Sequence, residues 1–265
     1  LLVERDIDMI AFTGSTKTGK YLYEVAGRKF IKAVMELGGS APGIIFEDAN
    51  IDLAVGNACF SRLYNEGQCC DGLKRLVVQE SVYDSVMEKV AANFSAKKVG
   101  NAQEKDTEVG PLAAKRQLDA LVSQVEDAKE KGATVVAGGN SLEEKMGGAF
   151  FEPTVLADVK SDMRVWKEEV FGPVLPIVKF KTENEAIELA NQTTYGLGAY
   201  VYTRDKERVE RISALIESGM VSVNGTNYGM PFNPFGGYKN SGIGREHGKY
   251  GFHEVTQIKI VAKNK

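Results

Sequence analysis

Histidine and cysteine are scarce in this sequence, and their scarcity excludes several chemistries. The 265 residues include two histidines, His247 and His253, and three cysteines, of which Cys69 and Cys70 are adjacent. Without a Cys-x-x-Cys pair, two histidines do not make a zinc site, so no metal is expected. Three cysteines are too few for a disulfide framework, and a reducing cytoplasm is the natural setting. Long hydrophobic runs are also missing. None approaches the roughly 18 apolar residues that cross a bilayer, and no basic-then-apolar leader opens the chain. Charge of one sign is not in excess either. A net charge of −3 gives no electrostatic attraction for nucleic acid or for an anionic membrane surface. Under these exclusions the Asn-x-Ser/Thr triplets at Asn93, Asn191 and Asn224 read as chance. The chain opens on Leu1, in an apolar stretch without a helix cap, and this reads as the boundary of a longer polypeptide.

What is present is the balance of a globular protein, 43% apolar and 26% charged, in a length that fills one large domain or two small ones. Strand-like and helix-like segments alternate. Asp8 to Thr13 reads as a strand, Ser15 to Gly27 as a helix and Lys32 to Leu37 as a second strand, the unit that builds parallel sheets. Further strands are expected at Ile44 to Phe46, Leu76 to Val78, Thr134 to Ala137, Val174 to Phe180, Ala199 to Tyr202 and Met220 to Val223. Helices are expected at Asp52 to Asn65, Ser81 to Lys98, Ala113 to Lys131, Glu183 to Gln192 and Lys206 to Glu217. The pattern is α/β with mostly parallel strands. Asn224 to Gly251, rich in Gly, Pro and Asn, reads as a long functional loop. Thr256 to Ala262 alternates like an exposed strand that pairs with another sheet, often in a second subunit.

Five segments could carry chemistry. Gly14 to Lys20 places glycines at a helix start, where backbone N–H groups favour a phosphate. It misses the nucleotide-hydrolase loop because Tyr21 stands where a magnesium-binding hydroxyl belongs. Glu36-Leu37-Gly38-Gly39 sets a carboxylate at the end of a strand, a good position for a cleft. Gly67-Gln68-Cys69-Cys70 offers a thiol after a helix and a turn, either a nucleophile or a buried structural cysteine. A cysteine–histidine hydrolase stays open at this point, with both histidines in the C-terminal segment. Glu168 to Pro173 supplies a carboxylate for a ribose hydroxyl with an aromatic beside it, and Pro234 to Gly242 is a rigid turn presenting aromatics. Each has a bland reading as ordinary punctuation, and the order and spacing decide between them.

Phe12-Thr13-Gly14-Ser15-Thr16-x-x-Gly19, Glu36-Leu37-Gly38-Gly39, Gly67-Gln68-Cys69-Cys70, Glu169-Val170-Phe171-Gly172-Pro173 and Pro234-Phe235-Gly236-Gly237-x-Lys239-x-Ser241-Gly242 form a series that resembles the aldehyde dehydrogenase superfamily. The likeness runs over essentially the whole chain, in family order, and the 34 residues from Glu36 to Cys70 suit it. The resemblance implies a three-layer parallel-sheet catalytic domain carrying the tail of a Rossmann-type domain. It implies NAD or NADP as cofactor and a small-molecule aldehyde as substrate. Cys70 would attack the carbonyl to form a thiohemiacetal, and loss of hydride to the nicotinamide would leave a thioester. Glu36 would then activate water, and the Cys70 N–H would form part of an oxyanion hole. Gly14 and Ser15 would meet the cofactor pyrophosphate, Glu169 its nicotinamide ribose and Phe171 the nicotinamide ring. Tyr64, Cys69, Asp71, Tyr228, Phe232 and Phe235 would shape the aldehyde pocket.

In that family about half the protein precedes the Phe-Thr-Gly-Ser motif. Residues 1–38 are therefore expected to be the remnant of the nucleotide-binding domain, 39–250 the catalytic domain and 251–265 an oligomerisation strand, in a homo-oligomer such as a dimer or tetramer. The chain alone is expected not to turn over aldehyde. Succinate semialdehyde is one candidate substrate. Members of that type often hold its carboxylate with an arginine six residues before the nucleophile. Here Tyr64 takes that place and Arg62 lies two residues earlier. Rival readings are acyl transfer to coenzyme A, which Glu36 argues against, and a non-catalytic oligomerising remnant.

Overall fold

The structure, a computed structural model, describes residues 2–264. The chain begins with β1 (Met9–Thr13), α1 (Thr16–Lys29) and β2 (Lys32–Glu36), and continues through β3 (Ala41–Ile45) and α2 (Ile51–Leu63). Next come β4 (Leu73–Gln79), α3 (Tyr83–Ser95), α4 (Lys115–Glu130), β5 (Thr134–Ala137) and α5 (Glu143–Met146). They are followed by β6 (Thr154–Ala157), α6 (Arg164–Lys167), β7 (Val174–Phe180), α7 (Glu183–Asn191) and β8 (Tyr195–Gly196). The last elements are β9 (Gly198–Tyr202), α8 (Lys206–Leu215), β10 (Met220–Val223), β11 (Tyr238–Lys239), β12 (Gly242–Ile243) and α9 (Gly248–Glu254).

Seven strands form the main sheet in the order β10-β9-β3-β4-β7-β6-β5. All neighbours run parallel except β5, which lies antiparallel to β6 at one edge. The period-2 alternation of strands decides the layers. Ile45, Leu76, Val78, Tyr200 and Tyr202 point to the face covered by α2 and α3, where Ala54, Val55, Ala58, Val86, Val90 and Phe94 meet them. Ile44, Val77, Ala199 and Val201 point to the opposite face, against Ala186 and Ala190 of α7 and Ile212 of α8. Burial on both faces is what a parallel sheet requires, and it explains the apolar runs of β3 and β9 and of Leu76 to Val78 in β4. The expected α/β three-layer class is therefore what the chain adopts.

A second sheet of three strands pairs β1 with β2 in parallel and β2 with β12 antiparallel. Helix α1 covers it, with Val25 and Ala26 packed on Ile10, Ala33 and Met35. Ser15 caps α1 by accepting from the Thr18 N–H at 3.3 Å. Only four residues, Leu37 to Ser40, separate β2 from β3, so the C-terminal end of the small sheet faces the start of the large one.

Two expectations change. The segment 224–251 read as loop contains β11, β12 and the start of α9. The terminal segment expected as a strand, Thr256 to Ala262, belongs to no strand. Ile258, Ile260 and Val261 are 89%, 89% and 69% exposed, because a strand exists only where a ladder partner accepts its hydrogen bonds. Sequence reading also passed over β6, whose four residues are too short to show a period. Among the described residues no helix is long and apolar enough to cross a membrane.

Candidate active site

The crevice between the two sheets gathers Glu36, Cys70 and Glu169 from the sequence-predicted residues. Glu36 is the last residue of β2, and the thiol loop, 67–72, leads into the first residue of β4. Gly39, on the link between the sheets, lies so close to the loop that a Cβ there would overlap the Cys70 carbonyl oxygen. Gly14 joins them by donating its N–H to the Glu36 carbonyl at 2.9 Å. The thiol therefore sits at the N-terminal edge of the large sheet. Parallel sheets usually place their sites at the opposite edge; here the C-terminal end of β2 supplies it.

Glu36 is 2% exposed, and neither carboxyl oxygen accepts a hydrogen bond from a described residue. Burial, helped by the charges of Glu246 and Asp71 and opposed by Arg245, pushes its pKa up to about 8. A Cβ on Gly236 would stand 3.0 Å from Glu36 Oε1, so the turn after Phe235 closes directly over the carboxyl group. Arg245 is held beside it through bonds from Nη1 to the Gly237 and Gly244 carbonyls, at 3.2 and 2.7 Å.

Cys70 is half-buried and packs, like Phe235, against the core under α2. Burial and the neighbouring Asp71 carboxylate raise its pKa to about 11, against the pull of Lys74 and of a bond from the Asp71 N–H. Cys69 Sγ bonds instead to Asp71 Oδ1 at 2.9 Å, and burial with that bond pushes its pKa to about 12. The three thiols are free.

Two buried cations hold the loop from behind, Arg62, which the sequence set near the substrate carboxylate, and Lys74, which it did not single out. Lys74, wholly buried, donates to the Cys69 and Cys70 carbonyls at 2.6 and 2.7 Å and pairs with Glu169 Oε1 at 3.4 Å. Its ammonium lies 5.9 Å from the centre of the Phe171 ring, and burial lowers its pKa. Arg62, also wholly buried, donates Nη2 to the Gly67 carbonyl. Arg62 therefore supports the turn and is not a wall of the pocket described next. A charged pair, Lys74-Arg75, inside an otherwise apolar strand was the signal available in the sequence. Glu169 accepts from the Gly39 N–H at 3.0 Å as well, and its side chain keeps 19% exposure.

A pocket of about 140 Å³ adjoins the thiol loop, lined by Phe60, Ser61, Tyr64, Cys69, Asp71, Gly72, Tyr200 and Thr226. Tyr228 stands behind it. Its hydroxyl donates to the Asp71 carbonyl at 2.6 Å and contacts the Tyr200 hydroxyl at 2.7 Å, and Tyr200 reaches the same carbonyl at 2.9 Å. Of the expected pocket residues, Tyr64, Cys69 and Asp71 line it and Tyr228 braces it. Phe235 packs nearer the core, and Phe232 lies outside, 70% exposed, because the loop from Met230 to Pro234 runs over the surface.

The family model described as "Aldehyde dehydrogenase family" matches residues 1–261. The chain belongs to the aldehyde dehydrogenase family. A 3-sulfolactaldehyde dehydrogenase of Pseudomonas putida is 44% identical over 95% of the chain and 51% of its own length. Among solved structures, an NADP-dependent enzyme of E. coli superposes with a TM-score of 0.92 at 42% identity, over 96% of this chain and 52% of that one. An NAD-dependent aldehyde dehydrogenase of Sinorhizobium meliloti gives 0.93 at 37% identity, over 97% and 51%. The chain spans about half the length of the curated relatives it matches.

Proposed function

We propose that the protein oxidises an aldehyde to its carboxylic acid with NAD or NADP, through an acyl group carried on Cys70 and released with Glu36 as base. The observation that carries this reading is a thiol and a carboxyl group, both desolvated, at one crevice where Asp71 acts on each. A nucleophile and a base set to act in succession need such a shared centre. A base with a pKa near 8 balances proton affinity against availability close to neutral pH.

Cys70 Sγ bonds to the aldehyde carbon, and its half-buried setting keeps bulk water from the adduct. Glu36 then takes a proton from the water that attacks the acyl carbon, and the thiol leaves. The residues present fit a dinucleotide: the exposed start of α1 at Gly14 and Ser15 for the pyrophosphate, Glu169 for the ribose and Phe171 for the ring. When bound, the cofactor supplies the hydride acceptor.

The same reading assigns residues 1–38 to a nucleotide-binding domain, 39–250 to the catalytic domain and 251–265 to pairing with a second copy. The exposed Ile258, Ile260 and Val261 support the last assignment. Free thiols throughout suit a cytoplasmic setting.

The test uses the protein in its full length, given aldehydes with NAD and NADP separately and followed by cofactor reduction. Glu36→Gln is expected to release one burst of reduced cofactor per site and then stall as a thioester, visible as an acyl adduct on Cys70 by mass spectrometry. Unchanged steady turnover in Glu36→Gln, or any turnover in Cys70→Ala, would refute these roles.

A further inference from the structure

The pocket beside the thiol has an uneven charge. Asp71 is the one carboxylic acid among its lining residues, and no lysine or arginine is among them. The two cations nearest the loop are turned away, Lys74 onto the Cys69 and Cys70 carbonyls and Arg62 onto the Gly67 carbonyl. Asp71 makes no ion pair among the described residues. The one bond its carboxylate accepts among these residues is from Cys69 Sγ to Oδ1. The rings of Phe60 and Tyr64, 5.8 Å apart and tilted by 48°, line the same pocket, as does the buried Tyr200. The Tyr228 and Tyr200 hydroxyls hold the Asp71 backbone carbonyl, and the Cys69 thiol holds its carboxylate.

Aromatic rings and a carboxylate lining one pocket attract a cation through ring faces and charge, and repel an anion. We infer that the pocket selects aldehydes by charge, taking chains that carry an ammonium group and rejecting those that carry a carboxylate, with Asp71 as the specificity-determining residue. This rests on the dehydrogenase reading, with Cys70 as the reacting atom. It runs against succinate semialdehyde, the candidate that the sequence raised, because Tyr64 stands where the arginine expected to hold its carboxylate would be, and the wholly buried Arg62 does not line the pocket. An isolated unit charge beside a partly buried carboxylate shifts affinity by about tenfold or more.

The experiment compares kcat/KM of the full-length protein for 4-trimethylammoniobutanal, butanal and succinate semialdehyde, which share a four-carbon backbone. The cation is expected to exceed the anion by about tenfold or more. Asp71→Asn should collapse that ratio toward unity, and Asp71→Glu should restore most of it. A second measurement needs no turnover. Cationic aminoethyl and anionic sulfonatoethyl methanethiosulfonate are compared in their rates at Cys69 and Cys70, scaled to free cysteine and located by tandem mass spectrometry. The cationic reagent should lead, and its lead should vanish in Asp71→Asn. Equal or better use of succinate semialdehyde would overturn the inference, as would a uniform loss in Asp71→Asn with the ratio kept. Oxidation of none of the three aldehydes would overturn the dehydrogenase reading beneath it, which the thiol reagents do not depend on.

Discussion

Glu36→Gln should make the protein more stable at alkaline pH while stopping its chemistry. In the folded chain the Glu36 carboxyl group holds its proton up to about pH 8, against an ordinary value near 4.5, chiefly because burial disfavours the charged form. The folded state therefore binds more protons than the unfolded state between those limits, and stability falls as pH rises through that window. Each pKa unit is worth about 1.4 kcal/mol, so ionising this group costs the fold about 3 kcal/mol by pH 7 and about 5 kcal/mol well above pH 8. Below pH 4.5 the contribution vanishes, since both states are protonated. Glutamine keeps the shape without the charge and should show none of this slope. The assay is urea unfolding of both proteins from pH 5 to pH 9. It can follow Trp166, the single tryptophan of the chain, which is 2% exposed, with stabilities extrapolated to water. The difference between the two proteins should widen steadily with pH toward the alkaline end. Parallel curves would refute the reasoning, since they would mean that Glu36 ionises in the fold as readily as in water.

Other expectations follow from the same geometry. Lys74→Met removes a wholly buried cation from two carbonyls and from Glu169. It should cost about 3–5 kcal/mol in denaturant unfolding, as breaking a buried pair does, and should slow alkylation of Cys70 because an opposing positive charge is gone. Gly67→Ala should destabilise by about 1–3 kcal/mol from its φ of +76° alone, and by more because a Cβ would overlap the Gly172 carbonyl; a melting temperature unchanged from the parent would contradict this. With the Cys70 pKa pushed up to about 11, iodoacetamide should label it about tenfold faster for each pH unit between 7 and 10. A rate already flat at pH 8 would show a thiolate that the surroundings described here do not create.

The strand–helix alternation was legible because hydrophobic period is a local property. The runs around Ile44 and Leu76 to Val78 need burial on both faces wherever they are placed, and a parallel sheet supplies it. The order of five motifs likewise named the family before any coordinate, and Glu36, Cys70 and Glu169 lie where the crevice between the two sheets gathers them. The terminal segment shows the limit of such reading. The alternation from Thr256 to Ala262 is real, yet a strand is a relation between two chains or segments, and among the described residues no partner strand pairs with it.

What only the tertiary structure decided concerns charge and solvent. In sequence Glu36, Lys74 and Arg62 are three ordinary ionisable residues; desolvation sets the first near pH 8 and turns the other two into braces for backbone carbonyls. Asp71 looks in sequence like one more pocket residue, and the fold makes it the one carboxylic acid of the pocket lining. Phe232 and Phe235 are three positions apart, and one is exposed while the other packs against the core. Periodicity travels with the chain, whereas the electrostatic energy of a group depends on everything within several ångströms of it. Sequence neighbours therefore say little about that energy until the fold has chosen the spatial ones.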